Sequence, residues 1–245
     1  MSPPNIDQKG WQMGSDSQTV KRRAFLSRLG AGAAALGALG AGAPALEAQS
    51  GGSARWQPTR HTQDDWLEQL PGKHRFILDT TTADAFGEAL LYANNFLEAN
   101  KNAYGLQDSD SAVVIVARHF STVFAYNDTV WAKYGPALGK LINLNDAKTK
   151  QPPTINLYNS SAHTSALPSM GNTVDAVLKR GVHLAVCQMA TRFMAGGLAG
   201  ASSGNADAIY NELVGNLLAN AHMVPAGIVA VSRAQERGYS FAHAG

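Results

Sequence analysis

The chain has 245 residues, 45% of them hydrophobic and 16% charged, with a formal net charge of +2 and one cysteine. A single cysteine excludes an internal disulfide, so any folded domain must be held by packing. The small net charge, with no basic stripe, argues against a nucleic-acid or acidic-lipid surface.

Lys21-Arg22-Arg23-Ala24-Phe25-Leu26 is a paired-arginine motif, followed by an Ala/Gly/Leu run from Leu29 to about Gly42. A polar basic front, a moderately apolar middle and a small-residue cleavage site are the layout of a twin-arginine export signal. Ala43-Pro44-Ala45 and Leu46-Glu47-Ala48 both offer cleavage sites, and cleavage after Ala48 is preferred. The run is too short and Gly-rich to span a bilayer stably, so no membrane attachment is expected after cleavage. The expected location is the periplasm or another exported compartment. Residues 1–48 carry five basic residues (Lys9, Lys21, Arg22, Arg23, Arg28) and three acidic ones (Asp7, Asp16, Glu47), which leaves 15 of each beyond Ala48. The mature part is therefore neutral. Its roughly 195 residues suffice for one well-cored domain.

Residues 49–73 read as a flexible start and a short helical arm in which Trp56 and Trp66 pack as surface anchors. Arg75-Phe76-Ile77-Leu78-Asp79-Thr80 is a short apolar strand, and Thr81-Thr82-Ala83-Asp84 has the Thr/Asp pattern of a helix N-cap. Phe86, Leu90, Ala93 and Leu97 then recur at helical spacing, which predicts an amphipathic helix from 84 to about 101. Ala112-Val113-Val114-Ile115-Val116-Ala117 is a continuous apolar run, as in a strand covered on both faces. Asp128 opens a second helix. Residues 143–172 are polar and turn-rich, and so long a connection reads as a lid or an interface loop. A short helix, Thr173 to Arg180, leads to the buried strand Gly181-Val182-His183-Leu184-Ala185-Val186-Cys187. This strand stops at the cysteine and turns into a helix. A helix over 205–221, a brief strand at Met223-Val224, a helix over 228–237 and an edge strand at Tyr239-Ser240-Phe241 complete the order. Strands alternating with helices predict an α/β fold, a mostly parallel sheet with helices on both faces.

Chemistry in open parallel sheets collects at the carboxyl ends of the strands. Cys187 lies at such an end, beside backbone N–H groups that favour a thiolate. Read blandly, it is a small buried hydrophobe. Arg118 and His119 end the second strand on the same rim, where they position an anion or, more simply, cap a helix or face solvent. The Thr80–Thr82 hydroxyls, Thr81 among them, are placed to hold an oxyanion, although capping explains them equally well. His183 and Cys187 point to one face but lie roughly 13 Å apart along the strand, too far to share a metal ion. No metal and no cofactor is expected. His163 and His222 are isolated in sequence and receive no role. Ala195-Gly196-Gly197-Leu198-Ala199-Gly200 lacks the strand-GxGxxG-helix setting and the P-loop lysine.

Several segments together resemble the DsrE/DsrF-like family of sulfur-relay proteins. Val224-Pro225-Ala226-Gly227-Ile228-Val229 with Gln235-Glu236-Arg237-Gly238-Tyr239 is similar to that family's V-P-S-G-V … Q-x-x-G-Y ending. Gly181-Val182-His183-Leu184-Ala185-Val186-Cys187 with Ala190 and Arg192 is similar to its G-V-x-x-x-V-C-x-x-A-x-R segment. Phe76-Ile77-Leu78-Asp79 with Asn94-Asn95 resembles its first strand and helix. The resemblance covers residues 74–243, and 74–245 is taken as the domain. Two departures are Ala117-Arg118-His119-Phe120, where many members have His-Gly, and the long 143–172 insertion. The resemblance implies a three-layer α/β/α fold with a five-stranded sheet, and homo-oligomers. It also implies a sulfur carrier or sulfurtransferase that forms a persulfide on Cys187. Arg118, His119, Arg192 and Thr81 would then position the substrate, with a small sulfur compound or a partner thiol protein as the other party. The rival expectation is a non-catalytic oligomeric binding or scaffold protein of the same fold, with Cys187 buried.

Overall fold

A computed structural model describes residues 57–245. The expected export signal, the cleavage site and Trp56 lie outside the described residues. Five parallel strands form one sheet in the order β4-β3-β2-β1-β5. They are β1 (His74–Thr80), β2 (Ser111–Ala117), β3 (His183–Cys187), β4 (Ala221–Val224) and β5 (Ser240–His243). The central strand β2 is buried along its whole length, as its unbroken apolar run requires. β1 pairs with it in register from His74↔Ser111 to Thr80↔Ala117, so the two strands end together.

Helices cover both faces, which gives the three-layer α/β/α arrangement. Among the described residues these are α1 (Trp66–Gln69), α2 (Ala83–Tyr104), α3 (Asp128–Leu141), α4 (Ser161–Thr164), α5 (Val174–Lys179), α6 (Gln188–Ser202), α7 (Ala206–Gly215) and α8 (Gly227–Gln235). The thicker layer holds α2, α3, α5, α6 and α7 against Leu78, Val113, Ile115, Leu184 and Val186. The thinner layer holds α1 and α8, whose Leu67, Ala230, Val231 and Ala234 pack on Ile77, Val114, Val116 and Ala185. Because strand side chains alternate, Asp79, His183 and Cys187 fall on this thinner side. None of the helices is long and apolar enough to cross a membrane.

α2 starts one residue earlier than the periodicity suggests. Thr82 caps it by accepting from the Ala85 N–H, and Gly105 (φ +69°) ends it in the left-handed region that glycine tolerates. Three connecting segments add to the packing. Residues His119–Ala125, after β2, form a 3₁₀ segment whose Val123 and Phe124 are buried. Residues 62–70 pack on the sheet: Leu67 is buried, and its carbonyl accepts from Arg75 Nη1 (2.7 Å) and Tyr239 Oη (2.7 Å). The 143–172 connection contributes to the main core. Tyr158 meets the rings of Phe86 and Phe124 at 5.7 and 4.9 Å between centroids. Buried Asn156 donates through Nδ2 to the carbonyls of Phe124 (2.9 Å) and Tyr126 (3.1 Å). A polar loop can be buried when its side chains satisfy backbone groups in this way, and composition alone does not reveal it.

Candidate functional site

The corner after β2 is fixed from three directions. The N–H groups of Phe120 and Ser121 donate to the Thr81 carbonyl at 3.0 and 3.2 Å. Ser121 Oγ accepts from the Arg118 N–H (3.0 Å) and lies 2.8 Å from Thr80 Oγ1. His119 is thereby held at φ +56°, a conformation that few residues other than glycine adopt, with its ring 4.1 Å from that of Phe120. Retained backbone strain of this kind concentrates at functional sites.

Arg118 projects from this corner into a two-point clamp. Its Nε and Nη2 donate to Asp79 Oδ1 and Oδ2 at 2.7 and 2.8 Å, a bidentate pair that fixes the guanidinium plane. The Asp79 carboxylate holds Arg118 above its ordinary pKa against the opposing effect of burial. His243 Nδ1, on β5, reaches the same Asp79 Oδ2 at 3.1 Å. Across the clamp, Gly227 opens α8. A Cβ there would lie 2.6 Å from Arg118 Cβ and 3.0 Å from Val116 Cγ1, so only glycine permits the approach.

Cys187 ends β3 and serves as the N-cap of α6, its Sγ accepting from the Ala190 N–H at 3.4 Å. Its carbonyl accepts from Thr191 Oγ1 (3.0 Å), and that hydroxyl in turn accepts from Tyr126 Oη (3.0 Å). Burial pushes the Tyr126 phenol well above its ordinary pKa, so it remains a neutral donor. The cysteine is only 6% exposed, yet it lines a cavity of about 360 Å³ together with Arg118, His119, Phe120, Met189, Phe193, Gly227 and Ile228. The mouth is apolar: Met189, Phe193 and Ile228 are 69%, 60% and 58% exposed.

The structure thus brings Cys187, Arg118 and His119 around one cavity, with His119 exposed at its edge. Arg192 is directed elsewhere, 4.1 Å over the Tyr210 ring and 3.5 Å from Asp207, both on α7. Thr81 contributes its carbonyl to the corner and does not line the cavity. Nor does any residue of the 143–172 connection. Asp79, His243 and Gly227 were not singled out from sequence. A carboxylate ending β1 opposite an arginine ending β2 was the available signal.

A second polar cluster lies on the same sheet face. His183 Nδ1 and His222 Nε2 are 2.9 Å apart, and His222 stacks on Trp66 with ring centroids 4.0 Å apart. The two imidazole centroids are 5.2 Å apart, so the rings meet nitrogen to nitrogen, one N–H donating to the other's bare nitrogen. Burial, and then the neighbouring His183, push His222 down to about 4; burial also lowers His183. Among the described residues no group of three or more His, Cys, Asp or Glu side chains is placed to hold a metal ion. His163 instead contacts Asp146 Oδ2 (3.2 Å) and Ser160 Oγ (2.9 Å).

No family model, no curated protein and no solved structure matches this chain.

Proposed function

We propose that the chain is an exported, DsrE/DsrF-like sulfur carrier or sulfurtransferase in which Cys187 holds sulfane sulfur as a persulfide. The observation that carries this reading is the position of Cys187 on the wall of a cavity shared with Arg118. A thiolate at Cys187 attacks the outer sulfur of a persulfide donor R–S–SH. The new bond is Cys187 S–S, the donor S–S bond breaks, and R–S⁻ leaves with the electron pair. Attack by an acceptor thiolate on the outer sulfur reverses these roles and restores Cys187. Negative charge on the sulfur meets the Ala190 N–H at the start of α6, in a cavity that Arg118 also lines. The paired arginines and the Ala/Gly run before Ala48 support export by the twin-arginine route.

The test is labelling of the native protein with a thiol reagent, followed by mass measurement after treatment with a sulfane-sulfur donor. The expected result is labelling without denaturation and a gain of one sulfur atom at Cys187, lost in Cys187→Ser. A thiol that reacts only after unfolding would refute the carrier reading. The exposed rim of Met189, Phe193 and Ile228 favours a second reading, a homo-oligomeric scaffold in which this rim is the contact surface and Cys187 carries no cargo. That reading expects an oligomer that dissociates in Phe193→Ser and a thiol that stays unloaded.

A further inference from the structure

We propose that the sulfur donor at the Cys187 cavity is an organic thiosulfonate, R–SO₂–S⁻, rather than an inorganic sulfur oxyanion; this rests on the sulfur-carrier reading. Two features of the cavity lead there. The first is its wall. At about 360 Å³ it has the size of a small-molecule pocket, and Phe120, Met189, Phe193, Ala226 and Ile228 make most of its lining apolar. An inorganic oxyanion against this wall exchanges water for hydrocarbon on the walled side, whereas an aryl or alkyl body gains from the same contact.

The second feature is an oriented cation, the one guanidinium or ammonium group among the described residues that line the cavity. Arg118 spends Nε and Nη2 on Asp79, and its Nη1 makes no hydrogen bond with the described residues. That leaves one donor group of a fixed guanidinium for one oxyanion in the cavity that Arg118 shares with Cys187. His119, exposed at the rim and held at φ +56°, has no second charged partner in the cavity. An organic thiosulfonate has the matching parts in the matching order: an apolar body for the mouth, an SO₂ oxyanion for Arg118 and a terminal sulfane sulfur for Cys187.

The reaction balances without an external oxidant or reductant. The Cys187 thiolate attacks the terminal sulfur of R–SO₂–S⁻, and a Cys187 S–S bond forms. The S–S bond to the sulfonyl sulfur breaks, and its electron pair leaves on the sulfinate R–SO₂⁻. Two negative charges enter and two leave, one on the persulfide and one on the sulfinate.

The experiment compares benzenethiosulfonate with thiosulfate as donors to the full chain, reading the rate of persulfide formation on Cys187 against donor concentration. The expected result is a rate that saturates with benzenethiosulfonate and stays linear with thiosulfate. Phe193→Ser and Ile228→Ser should each lower the ratio of the two loading efficiencies by about tenfold, the effect of removing one buried apolar contact. Tyr104→Ser, at the exposed end of α2 and away from the cavity, should leave the ratio unchanged. Loading by both donors with a ratio unaffected in the two wall variants would overturn the thiosulfonate assignment and leave the carrier reading standing. Loading by neither donor, but by a persulfide R–S–SH, would likewise overturn only the thiosulfonate assignment; loading by none of the three would overturn both.

Discussion

Gly227 and Arg118 illustrate how little room the site has. A methyl group at 227 meets Arg118 Cβ at 2.6 Å, so Gly227→Ala must displace either the arginine or the start of α8. Overpacking of this kind costs about 1–3 kcal/mol. The expected outcome is a folded protein, by circular dichroism, with loading of Cys187 reduced several-fold. Thr191 makes a complementary case. It links Tyr126 Oη to the Cys187 carbonyl, and Thr191→Val leaves a buried phenol without its acceptor. A loss of about 1–3 kcal/mol is expected in urea unfolding, with a larger effect than Tyr126→Phe, which removes donor and penalty together. At this scale the sequence is legible only in part. Cys187 at the end of an apolar run marks a strand terminus, and Arg118 marks another. That Asp79 clamps Arg118 from 39 positions away, or that Arg192 turns onto Tyr210, depends on register and helix rotation, which no local pattern encodes.

Among the elements, strands and long helices follow from periodicity because burial dictates it. β2 is the clearest instance, with apolar side chains from Ala112 to Ala117 and a helical layer on each side. The 143–172 connection was harder to read, since its polar residues act inside the protein. Asn156→Ala removes two side-chain donors from buried carbonyls and is expected to cost about 2–3 kcal/mol, measured by denaturant unfolding. Gly87 belongs to the same contact. A Cβ there would stand 2.5 Å from the Tyr158 ring, so Gly87→Ala should loosen this segment from α2 and raise its amide exchange. The His183–His222 pair joins β3 to the edge strand β4 across 39 positions, and neither residue signals the other in sequence. Its pH effect has a definite sign. Both imidazoles are held neutral below their ordinary value of 6.5, so the unfolded chain takes up protons first as pH falls. Stability is then complete above about 6.5 and declines as pH falls toward about 4. His222→Phe keeps a ring against Trp66 and removes one titrating group. Urea midpoints across this window should therefore be flatter for the variant than for the unchanged chain.

For the molecule as a whole, the sheet order places β1 and β5, the first and last strands among the described residues, side by side. β5 pairs with β1 from Phe76↔Ser240 to Asp79↔His243, and the Ala244 N–H donates to the Asp79 carbonyl at 3.0 Å. The tail that closes the sheet therefore also steadies the carboxylate that orients Arg118. β1 acquires its outer neighbour only once residues 240–243 have been made, so that margin of the sheet stays open until then. The same arrangement lets residues 240–244 act on the site from outside it. Loss of His243 and Ala244 removes no cavity-lining residue, yet it strips Asp79 of two of its supports.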